Sequence, residues 1–121
     1  MNENELRELD GFIAMQVMGW KHARMTDSMG HFWAWEFTDR EGWISVNEYY
    51  PTLKIFQAIE AVSAWAKDRP GAWWEIKASN ELGGHVAVNG IWRKAQAVTS
   101  HAIATALCLA LKAAAEAASC H

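Results

Sequence analysis

Four things are scarce in this sequence: cysteine, basic charge in excess, long apolar runs and linker-like stretches. Cysteine occurs twice, as Cys108 and Cys120. Two thiols make no disulfide framework, so a reducing cytoplasm is the simplest compartment. Eleven basic residues against 14 acidic ones leave a net charge of -3, which argues against a sequence-independent binder of duplex nucleic acid. No apolar run reaches the ~18 residues of a membrane span, so no membrane partner is expected. The stretch Met1 to Asp10 is acidic and does not fit a signal peptide. Repeats, low-complexity blocks and Pro/Gly/Ser linkers are missing too, so the chain reads as one domain, 1–121. A chain of 121 residues buries about two-thirds of its unfolded surface, enough for an ordinary core.

The chemistry-bearing patterns are equally sparse. His22, His31, His85, His101 and His121 show no metal-ligand spacing, and Cys108 and Cys120 fall on one helix without a four-ligand set. No Gly-x-Ser-x-Gly elbow and no glycine-rich phosphate loop occur. Gly83-Gly84 reads as a hairpin turn, and Asp39 with Glu41 as a solvated turn rather than an acid–base pair. Cys108 reads as a small core residue. The sequence therefore predicts no catalytic residues, no metal and no cofactor.

Tryptophan is what the sequence has in plenty, with eight: Trp20, Trp33, Trp35, Trp43, Trp65, Trp73, Trp74 and Trp92. A core this small cannot easily hide eight indoles, each wanting an N–H partner when buried. Some are expected on a surface, an interface or a pocket wall, although those on strands would fill two cores if both sheet faces were covered.

Apolar periodicity predicts helices over Asn4–Met18, Thr52–Ala66 and His101–Ala118. Asn2 or Asn4 caps the first, and Gly19 ends it. Pro51 and Thr52 open the second, and Ser100 caps the third. Strands are predicted over His31–Phe37, Trp43–Val46, Ala72–Ser79, His85–Asn89 and Ile91–Val98, with Asn89-Gly90 a hairpin signal. The order is α-β-β-α-β-β-β-α, an α+β domain with a mostly antiparallel sheet.

Two stretches carry a family resemblance. Leu9 to Trp20, with its Ile13-Ala14 pair and its Val17-Met18-Gly19-Trp20 ending, is similar to the opening of phage ABA sandwich domains. Ala97 to Ala113, with Thr99, Ala102-Ile103 and Ala110-Leu111-Lys112-Ala113, is similar to their closing helix. Between them Tyr50-Pro51-Thr52-Leu53-Lys54 keeps only the proline and one hydroxyl of the family's Ser-Pro-Ser-Thr-Asp element. The resemblance implies a three-layer α/β/α sandwich of phage or prophage origin and transfers no catalytic residue.

Trp20, Trp43, Tyr49 and Tyr50 sit where loops gather, with Arg24 nearby in sequence. The second helix's N-terminus, at Thr52, offers amides to an anion. Rings that stack a base, with a cation and amides that hold phosphate, suit a nucleotide. These residues suit a protein interface as well. The reading is a non-catalytic accessory protein that sequesters a small nucleotide-type ligand, such as a host defence signal, through Trp20, Arg24, Trp43, Tyr49, Tyr50 and Thr52. The alternative is an interaction module that inhibits a host protein through an aromatic patch. Exposed indoles and low net charge also predict a homo-oligomer, with a dimer the commonest closed form.

Overall fold

The computed structural model describes residues 1–119; Cys120 and His121 lie outside the described residues. Helix α1 (Glu3–Phe12) begins with a reciprocal cap, Asn2 to the Glu5 amide and Glu5 back to the Asn2 amide. It runs straight into a π-helical turn, Ile13–Val17. Gly19, at φ +71°, stops the helix, and the Trp20 amide bonds the Ala14 carbonyl at 3.0 Å. The wide turn lets Ile13 and Ala14 both point inward, and both are fully buried.

Strand β1 (Lys21–Asp27) pairs antiparallel with β2 (Gly30–Glu36) along its whole length, and β2 pairs with β3 (Trp43–Ser45). The Met29 amide donates to Asp27 Oδ1 at 2.7 Å, a side-chain turn that turns the chain into β2. Helix α2 spans Ile55–Lys67. Strands β4 (Trp74–Ser79), β5 (Gly83–Val88) and β6 (Ile91–Lys94) form a second antiparallel sheet. Asn89 and Gly90 both take positive φ at the β5–β6 turn, as the Asn-Gly signal predicts. Helix α3 (Ser100–Ser119) closes the chain.

The α+β class, the antiparallel pairing and a sandwich-like packing are thus as expected. The order is corrected to α-β-β-β-α-β-β-β-α, because β1 was not foreseen. The strands form two sheets of three, not one sheet. Other boundaries shift as well. Tyr50 to Lys54 is a turn, so α2 begins three residues after Thr52, at Ile55. The Thr99 hydroxyl, not Ser100, accepts the Ala102 amide at the start of α3. Strand β6 ends at Lys94 rather than Val98. Gly83 and Gly84 belong to β5 rather than to a turn.

The core joins all these elements. Helix α3 buries Ala104, Leu107, Cys108, Ala110 and Leu111 completely and packs on β5, β6, α1 and α2. Ser100–Ala118 has a mean hydropathy of 1.3, so one helix does reach the length and composition of a membrane span. Its apolar face is spent on the core, where small alanines let α2 and β5 come close. In α2 the buried stripe is Ala58, Ala61, Val62 and Trp65, which leaves Phe56 exposed.

Candidate ligand-binding face

Trp20, Tyr49, Tyr50 and Thr52 do come together, but as part of the core and its tether. Trp20 is buried against Phe37 and Tyr49, with ring centroids 4.7 and 5.0 Å away. Its Nε1 donates to Asp39 Oδ1 at 3.1 Å, which satisfies the indole. Tyr49 is buried, and burial pushes its phenol far up. Tyr50 has the Arg7 guanidinium over its ring at 4.1 Å. Arg7 also donates to the Val46 carbonyl at 2.6 Å and lies 3.5 Å from the Asp10 carboxylate.

Thr52 is fully buried, and its amide is already taken: it donates to Asp10 Oδ1 at 2.9 Å. The protein's own carboxylate therefore occupies the place expected for a phosphate oxygen. Asp10 is itself buried, and desolvation raises its pKa above the ordinary carboxylate value. The Thr52 amide, the nearby Thr52 hydroxyl and Arg7 oppose that rise, yet neither Asp10 Oδ2 nor the Thr52 hydroxyl completes a hydrogen bond of its own. This corrects the predicted anion site at Thr52. Trp20 and Tyr49 likewise offer no stacking face.

Arg24 and Trp43 lie elsewhere, on opposite faces of the first sheet. Residues paired across an antiparallel sheet share a face. His22 with Trp35, Arg24 with Trp33 and Thr26 with His31 share one. Met25 with Phe32, and Lys21 with Glu36 and Trp43, share the other. Trp43 is 50% exposed and leans on Phe32 at 5.1 Å. It lines a hollow of about 250 Å³ that includes Asp27 and Glu48, whose charges would repel phosphate.

The Arg24 face is different. Along β2 its side chains pass from buried Trp35, through Trp33 at 51% exposure, to exposed His31. Trp33 stacks on His22 with centroids 4.4 Å apart and planes 10° from parallel. The exposed Arg24 stands opposite Trp33 and makes no hydrogen bond, ion pair or ring contact among the described residues. The Thr26 hydroxyl and His31 Nδ1 are 2.8 Å apart. The strand residues of this face include no carboxylate, since Asp27 and Glu36 fall on the other side. It is a flat aromatic platform bordered by a cation and by imidazole and hydroxyl groups.

Sequence reasoning missed His22 and Trp33 here. Their signal was the alternation of His22, Arg24 and Thr26 with Ala23 and Met25, masked by the polar character of β1. Half-exposed Trp33, Trp73 and Trp92 also correct the view that strand indoles fill two cores. Among the described residues no three His, Cys, Asp or Glu side chains gather as metal ligands would. Comparison with protein-family models, curated proteins and solved structures yields no match.

Proposed function

We propose that this chain is a non-catalytic binding protein that takes a small anionic, ring-bearing ligand of nucleotide type on the Trp33–His22–Arg24 face. The observation that carries the reading is the half-exposed Trp33, stacked on His22 and faced by Arg24, which has no partner among the described residues, on a sheet face whose strand residues include no carboxylate. A base laid on such a ring gains about 1–3 kcal/mol. A guanidinium beside it holds phosphate in a charge-assisted, two-pronged contact. The similarity of its first and last helices to phage ABA sandwich domains supports a phage or prophage accessory role. Sequestration of a signalling nucleotide in the host cytoplasm is the use such a face would serve.

Thermal unfolding across a nucleotide panel tests this. Ligand at about 100-fold over Kd stabilises by roughly 2.7 kcal/mol. Wild type shifts upward with at least one nucleotide, and the folded Arg24→Ala and Trp33→Ala variants lose most of that shift. Variants that respond as wild type does place the site elsewhere.

A second reading has its own observation. On the opposite face the half-exposed Trp43, Phe32 and the exposed Met29 lie together, the kind of aromatic patch found at protein interfaces. A panel in which no nucleotide shifts the wild type favours that reading, an interaction module that inhibits a host protein.

A further inference from the structure

The second sheet has a face turned away from α3 with a chemistry of its own. Its register sets Lys77, His85 and Lys94 side by side in one row across the three strands. The two lysines thus flank His85 on one face of the sheet. Only Lys77 is answered, by Glu75 at 3.6 Å in the neighbouring row. His85 and Lys94 make no hydrogen bond or ion pair among the described residues. On the same face Trp92 is half-exposed and meets Trp73 edge-on at 6.3 Å. Leu82, in the turn that joins β4 to β5, is 74% exposed. An open hollow of about 380 Å³ lies against Leu82, Gly83, His85 and Trp92, and its lining is mostly apolar.

A free sheet gains nothing from a row of basic side chains beside an uncovered indole. The arrangement becomes favourable when an anion with an apolar body covers it. We propose that this face docks an acidic peptide segment carrying one large apolar side chain. The apolar group enters the hollow against Leu82 and Trp92, and flanking carboxylates settle on His85 and Lys94. At about 380 Å³ the hollow is at the small end of ligand sites, which run from ~300 to 1,000 Å³. It therefore suits one side chain rather than a globular surface. Its sparse polar lining gives the edge of a nucleobase few partners, which favours peptide over nucleic acid.

The test is fluorescence anisotropy with a labelled peptide, Gly-Asp-Glu-Trp-Glu-Asp-Gly, against wild type, Lys94→Glu and Trp92→Ser, all checked for folding by circular dichroism. Each substitution is at an exposed position, and Lys77→Glu serves if either variant fails to fold. Wild type binds saturably, more weakly as salt rises. Charge reversal at Lys94 weakens binding ~10-fold or more, and Trp92→Ser weakens it without changing the salt dependence. A peptide with serines in place of its acids binds poorly. The proposal falls if the acidic peptide does not saturate or if both variants bind like wild type. It also falls if labelled oligothymidylate binds more tightly with sensitivity to the same two variants. A concentration-dependent dimer abolished by Trp92→Ser would overturn it too, because a second copy would then own the face.

Discussion

At the residue scale, Asp10 decides more than its place in the sequence announces. As a sequence letter it is one of several acids among the first ten residues. In the structure it reaches 42 residues along the chain to the Thr52 amide and ties α1 to the turn before α2. Removing the acceptor leaves a buried donor unpaired, so Asp10→Ala costs about 1–3 kcal/mol in urea unfolding at pH 7. The Arg7 guanidinium, freed of its partner, adds nothing back. Because burial raises the Asp10 pKa above its ordinary value of 3.8, the folded state holds the proton more tightly than the unfolded chain does. Folding is then favoured by this group at low pH, and the advantage is lost as pH rises from about 4 through the folded pKa. Asp10→Asn, which does not titrate, removes that slope. The stability gap between wild type and Asp10→Asn narrows from pH 4 to pH 7, and a gap that widens instead would contradict the assignment.

At the element scale, the parts that were legible are those with an apolar period and clear stops. The helices α1 and α3, the β2–β3 pair and the Asn89-Gly90 hairpin follow from such signals. Strand β1 does not, because only Ala23 and Met25 break its polar run, and its pairing to β2 supplies the rest. The start of α2 was misplaced for a related reason. Pro51 fits a first helical turn as well as it fits the tight turn closed by the Tyr50 carbonyl, which accepts from Leu53 and Lys54. Gly84 shows how packing overrides a local signal. A Cβ there would stand 3.2 Å from the Ala95 side chain and 3.4 Å from Ile103, so the glycine is what lets β5 approach the start of α3. Gly84→Val overfills that contact and costs about 1–3 kcal/mol in chemical denaturation, with Gly83→Ala a separate case because of its positive φ. A neutral Gly84→Val would mean that α3 is free to move off the sheet.

At the scale of the whole molecule, the indoles divide into two populations. Trp20, Trp35 and Trp65 are core with Trp74 packed partly buried against them, whereas Trp33, Trp43, Trp73 and Trp92 stand about half in solvent. Abundant tryptophan foretold that split without saying which residue falls where, since that depends on sheet register and on which faces the helices cover. The candidate site was legible only in part: Arg24 was foreseen, but the ring set opposite it in the strand register is Trp33 and not Trp20. An exposed, unpaired cation contributes little to folding, so Arg24→Ala leaves stability within about 0.5 kcal/mol of wild type while ligand affinity falls. The most direct test is an amide chemical-shift titration of wild type with a mononucleotide. The account predicts saturable shifts centred on His22, Arg24, Thr26, His31 and Trp33, including the Trp33 indole N–H, with Trp20 and Thr52 quiet. Shifts centred on Trp20 and Thr52, or none at all at saturating nucleotide, would contradict it.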